Sequence, residues 1–83
     1  DQRLILSVGR LTRRKGFDQV LRSLPALIAA GHDLQYVIIG IGDDRKFLQG
    51  LAEELGVAER VHFPGHVPED DLPRWYNLAA LFA

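Results

Sequence analysis

The chain has no cysteine, which excludes a disulfide framework, a thiolate metal site and a cysteine nucleophile. It also has no methionine and begins at Asp1, and it reads as a segment taken from a longer protein. No apolar run approaches the roughly 18 residues of a membrane span. No signal peptide is visible, so the expected location is cytoplasmic. An excess of either charge is missing as well: ten Lys and Arg against eleven Asp and Glu leave a net charge of −1. A general nucleic-acid binder is strongly basic, so nucleic acid is not an expected partner. Internal repeats, linkers and low-complexity segments are absent.

What is there is an ordinary globular composition, with 47% hydrophobic residues in 83. That length makes one small domain, residues 1–83, which buries only about 60–65% of its unfolded surface. Arg3 to Val8 is a short apolar run ended by Gly9, and it reads as a buried parallel strand. From Phe17, apolar residues at Val20, Leu21, Leu24, Leu27 and Ile28 fall at helical spacing, with Gly31 as the residue after the cap. Pro25 inside this pattern predicts a kink or local break. Tyr36 to Ile39 is a second strand ended by Gly40. A second helix through Phe47, Leu48, Leu51, Ala52 and Leu55 comes next, capped by Asp43 or Asp44 and ended by Gly56. Arg60 to Phe63 is a third strand. A third helix starts with Glu69, Asp70 and Asp71 and buries Leu72, Trp75, Tyr76 and Ala79. Leu81 to Ala83 opens a fourth strand. This β-α alternation predicts an α/β fold, a partial Rossmann-like parallel sheet that is half of a larger doubly wound domain.

In such sheets ligands bind beyond the carboxyl ends of the strands, where this chain places Gly9-Arg10, Gly40-Ile41-Gly42 and Gly65-His66. Four of the ten cations fall between Arg10 and Lys15. Arg10 comes just after the strand and Lys15 opens the helix. Both can converge on one diphosphate beside helix amides, against the alternative of a solvated basic loop. Arg13 and Arg14 are assigned to solvent. Gly40-x-Gly42 is neither a dinucleotide fingerprint, since Arg45 stands at the third glycine, nor a P-loop; alone it reads as a strand-to-helix turn. His32 and His62 read as loop and strand residues, and His66 as a turn histidine at the ligand edge. No metal-ligand spacing is present. Trp75 and Tyr76 fit an interior helical face.

Three segments together carry a resemblance: V-G-R-L-x-x-R-K-G-F-D, Y-V-I-I-G-x-G-D-D, and the run from Ala52 to Ala80 containing E-R-V-H-F-P-G-H-V-P-E-D-D-L. In order and spacing the chain resembles the group 1 (family 4) retaining glycosyltransferases of GT-B fold, over the first part of their C-terminal donor-binding domain. The resemblance implies that Arg10 and Lys15 grip the donor diphosphate and stabilise it as leaving group. It implies that Gly9, Gly40 and Gly42 line the donor cleft, that His66 and Val67 form the nucleobase-contacting turn, and that Leu72 packs near the base. Ile41 departs from the polar residue common in the family. A nucleotide-sugar donor is the implied partner; no cofactor and no metal are implied. The family's glutamate pair, eight positions apart, would lie beyond Ala83, and its N-terminal acceptor domain would lie before Asp1. The isolated chain is therefore not expected to catalyse transfer, and the full-length enzyme is expected to be cytoplasmic or membrane-peripheral. The alternatives are a non-catalytic fragment that self-associates through an exposed sheet edge, and part of a GT-B sugar-nucleotide epimerase.

Overall fold

The computed structural model describes residues 2–12, 16–79 and 81–82. Its elements run β1 (Gln2–Val8), α1 (Phe17–Ala29), β2 (Asp33–Ile39), α2 (Arg45–Glu54), β3 (Val61–Gly65), α3 (Leu72–Leu78) and β4 (Leu81–Phe82). Short 3-10 turns at Ala58–Arg60 and Glu69–Asp71 precede β3 and α3. The expected helix-start acids thus form their own turn ahead of the helix. The four strands make one sheet in the order β3-β2-β1-β4, and every pairing is parallel.

The central strands β1 and β2 carry apolar runs because both faces are covered there, whereas His62 and Pro64 of the edge strand β3 are exposed. Ile5, Tyr36, Ile38 and Val61 join the larger core with Leu21, Leu24, Leu48 and Leu51 from α1 and α2. Leu6, Val37 and Ile39 point the other way, against Leu72, Trp75 and Ala79. Trp75 is therefore partly buried against the sheet, on the face that its spacing predicts. Tyr76 is not: it is 45% exposed, because the α3 stripe that meets the sheet is only wide enough for Leu72, Trp75 and Ala79.

The ends of the helices match the sequence closely. Gly31 and Gly56 adopt positive φ angles of 98° and 74°. In each case two N–H groups fold back onto the last turn: Gly31 to Ile28 and His32 to Leu27 after α1, Gly56 to Glu53 and Val57 to Ala52 after α2. This is the Schellman arrangement, which satisfies carbonyls the helix leaves open. Helix α1 runs as a single element through Pro25. Asp44 occupies the cap position of α2, and no side-chain capping bond is formed there.

Polar contacts also link the strands. The Ser7 and Tyr36 hydroxyls meet at 2.6 Å in the core. Burial pushes the Tyr36 phenol above its usual range, and the bond with Ser7 opposes this in part. At the amino end of the sheet, Arg60 Nη1 donates to Asp33 Oδ1 at 2.7 Å and to the Leu34 carbonyl at 3.1 Å. No helix among the described residues is long and apolar enough to cross a membrane.

Candidate functional site

The carboxyl ends of β1, β2 and β3 are joined to one another by backbone hydrogen bonds. Gly9 N–H donates to Ile39 O at 3.0 Å, Leu11 N–H to Ile41 O at 3.0 Å, and Gly40 N–H to Gly65 O at 2.9 Å. The Leu11 carbonyl accepts from Asp44 N–H at 3.1 Å, which ties the same residue to the start of α2. Thr12 N–H folds back onto Arg10 O at 2.9 Å, a three-residue turn centred on Leu11. The Leu11 side chain is fully buried in the main core. An apolar anchor thus fixes the turn after β1, and Arg10 stands exposed beside it.

The Gly-x-Gly after β2 has a structural explanation. A Cβ on Gly40 would lie 1.8 Å from Gly9 O, and one on Gly42 would lie 2.5 Å from Leu11 O. No side chain fits between these turns. The two glycines let the β2 turn pack backbone to backbone against the β1 turn, and that close packing brings Arg10 next to Ile41.

Two cavities open on this edge. The first, about 310 Å³, is lined by Gly9, Arg10, Gly40, His66, Val67 and Leu72, with Val8, Ile39, Ile41 and Glu69 completing its wall. The second, about 570 Å³, is lined by Arg10, Thr12, Ile41, Gly42 and Asp43. Arg10 and Ile41 belong to both, so the cavities adjoin at these two residues. Six of the eight predicted site residues converge on the first cavity, and Gly42 faces the second. Lys15 lies outside the described residues, as do Arg13 and Arg14. Among the described residues the Arg10 side chain has no hydrogen-bond or ion-pair partner.

Three contributors stand outside the predicted site residues, although the sequence already places Ile41 at this edge. Ile41, the residue that departs from the polar family pattern, is 61% exposed and lines both cavities. Glu69, taken as a helix-start acid, also faces the first cavity. Leu11 is the anchor of the turn; its one signal is an apolar residue set among cations. Of the histidines, His32 is exposed on a loop, and His62 lies on β3 with Nε2 2.6 Å from Gln35 Oε1. His66 alone reaches the cavity. No group of three or more His, Cys, Asp or Glu residues among the described residues is placed to hold a metal ion.

The sequence profile of the family described as Glycosyl transferases group 1 matches residues 1–83. The chain belongs to the group 1 glycosyltransferases. It is 40% identical over 79 residues to an uncharacterised glycosyltransferase of Methanocaldococcus jannaschii, covering 95% of this chain and 20% of the relative. It is 37% identical over 83 residues to a GDP-mannose-dependent alpha-(1-6)-phosphatidylinositol monomannoside mannosyltransferase of Mycolicibacterium smegmatis, covering 100% of this chain and 22% of that one. The chain thus spans about a fifth of the length of the curated relatives it matches. Among solved structures, WaaG, a glycosyltransferase involved in lipopolysaccharide biosynthesis, superposes with a TM-score of 0.82 at 34% identity, over 98% of this chain and 21% of WaaG. The catalytic domain of the Helicobacter pylori cholesterol-alpha-glucosyltransferase gives 0.82 at 28% identity, over 96% of this chain and 48% of that domain. The parallel sheet with alternating helices is the Rossmann-like fold of these GT-B glycosyltransferases.

Proposed function

We propose that this group 1 glycosyltransferase chain is the first part of a donor-binding domain, and that it holds a nucleoside-diphosphate sugar for retaining glycosyl transfer. The observation that carries the reading is the convergence of Gly9 and Arg10 with His66, Val67 and Leu72 on one cavity. Its volume of about 310 Å³ suits part of a small ligand, since pockets for such ligands run from about 300 Å³ upward. Val8, Ile39, Val67 and Leu72 offer apolar contact to a base and ribose. Arg10 sits where the two cavities meet, which is where the diphosphate, the middle of a nucleotide sugar, would lie. Asp43 and Gly42 in the second cavity then face the sugar end.

The chemistry is a matter of charge. When the glycosidic bond to the nucleotide breaks, the departing diphosphate gains negative charge. A fixed guanidinium stabilises that charge without reorganising at the moment of reaction. Lys15 is assigned the second cation of the pair. The acceptor side of the reaction is assigned to parts of the enzyme outside this chain, so the isolated chain binds donor without transferring sugar. The family match and the relatives' names favour a transferase over an epimerase or a non-catalytic module. Self-association through the sheet edges is disfavoured at β3, where Pro64 removes a backbone donor.

The test is a 15N NMR titration of the 83-residue chain with GDP and with UDP. At least one of them is expected to shift the amides of Gly9, Arg10, His66 and Val67 and to leave Asp33 and Arg60 in place. A folded chain whose amides ignore both nucleotides at saturation overturns the reading.

A further inference from the structure

Strand β3 meets β2 with a break in register. Val37 pairs with His62, but Ile39 pairs with Gly65, so β3 carries one extra residue across Phe63 and Pro64. Proline has no N–H to give to a ladder, which fits it for such a bulge. Bulges bend a strand and re-aim the residues beyond them. Beyond this bulge lie His66 and Val67, part of the wall of the first cavity.

One side chain holds the bulge. Arg45, the first residue of α2, sends Nη2 to the Phe63 carbonyl at 3.0 Å. Its guanidinium carbon lies 5.8 Å from the centre of the Phe63 ring. Its Nη1 lies 3.8 Å from where a Cβ on Gly65 would stand. The Arg45 N–H reaches back to Gly42 O at 3.5 Å, on the turn after β2. Arg45 therefore spans from the Gly40–Gly42 turn, which borders both cavities, to the β3 bulge, which leads into His66 and Val67 on the wall of the first. It lines neither cavity itself.

We infer that Arg45 is a positioning residue that sets the His66–Val67 turn for the nucleoside end of the ligand. The inference rests on the proposed donor site. A planar guanidinium is needed because one group must bond a carbonyl and lie near an aromatic ring at once. An ammonium supplies a point charge without that fork.

The variants Arg45→Met, Arg45→Lys and Arg45→Gln are titrated with GDP, UDP and inorganic pyrophosphate beside the parent chain. The expected result is about tenfold weaker nucleoside-diphosphate binding for Arg45→Met, on the scale of one hydrogen bond to a charged group. Arg45→Lys and Arg45→Gln fall between it and the parent. Pyrophosphate binding stays within about twofold, because Arg10 is untouched. In the ligand-free chain, amide shifts and hydrogen exchange at Gly65, His66 and Val67 change in Arg45→Met, while those of Leu4 to Val8 do not. Equal weakening of nucleotide and pyrophosphate makes Arg45 a general stabiliser or a phosphate ligand and overturns the inference. So do unchanged nucleotide binding and unchanged amides at Gly65 to Val67. A parent chain that binds neither nucleotide is a separate result, which overturns the proposed function and removes the ligand role of the turn with it.

Discussion

The two ends of the sheet treat the same side chain in opposite ways. At the amino end Arg60 is fastened to Asp33 at 2.7 Å and to the Leu34 carbonyl. At the carboxyl end Arg10 is exposed on a turn anchored from below by Leu11, between two cavities and without a protein partner among the described residues. Arg45 is intermediate: it is at the carboxyl end, yet its guanidinium is committed to the backbone of β3. A satisfied arginine fixes structure. An arginine held in place but left unsatisfied is available to an anion. The difference lies in the turn beneath the side chain more than in the side chain itself.

The comparison breaks most severely at Gly40. Gly40→Ala places a Cβ 1.8 Å from Gly9 O at a φ of +146°, so the turn carrying Arg10 must move or the sheet must open. The expected loss is at least about 3 kcal/mol, a large share of a small domain's stability, read by urea unfolding. Comparable stability to the parent would mean that the two turns do not pack as described.

Tyr36→Phe probes the sheet between its two ends. It removes the phenol and leaves the Ser7 hydroxyl buried, at a cost of about 1–2 kcal/mol by the same measurement. The phenol's raised pKa adds a pH signature. Stability from the neutral phenol is fully present below about pH 10, the unfolded value, and is lost as pH rises through the higher folded value. The unfolding free energy of the parent should fall above about pH 10 more steeply than that of Tyr36→Phe. Identical slopes would place the phenol in contact with water.

The smallest effect is expected at the amino end. The Arg60 and Asp33 side chains are 33% and 49% exposed, so their ion pair is well solvated. Asp33→Asn should cost less than about 1 kcal/mol, and the difference should shrink in high salt. A larger, salt-independent loss would give this end of the sheet more structural weight than its exposure suggests.

Much of this architecture is legible along the chain. Apolar runs that stop at Gly9 and Gly40 mark strands, and Gly31 and Gly56 mark helix ends, because those features depend on near neighbours. Gly9, Arg10 and His66 can be placed at one edge because alternation alone puts strand ends together; Val67 and Leu72 join them only through the family resemblance. Features that require a partner distant in sequence are not legible. The Ser7–Tyr36 bond depends on the β1–β2 register, and the bulge at Phe63–Pro64 on that of β2 and β3. The role of Gly40 is invisible until Gly9 is beside it. Arg45, noticed only as the wrong residue for a glycine fingerprint, acts through a carbonyl on another strand. Tyr76 misleads because helical spacing marks the buried side of a helix without giving the width of the surface it meets.

The central proposal is that Arg10 binds the anion, whereas Arg60 is structural. Arg10→Gln and Arg60→Gln are titrated with GDP and UDP by the same amide shifts, with folding checked by urea midpoint. Arg10→Gln should keep its stability and weaken nucleotide binding by at least about tenfold, the scale of a lost charge-assisted contact. Arg60→Gln should bind within about twofold of the parent. Undiminished binding by Arg10→Gln, or equal weakening by both variants, would contradict the account.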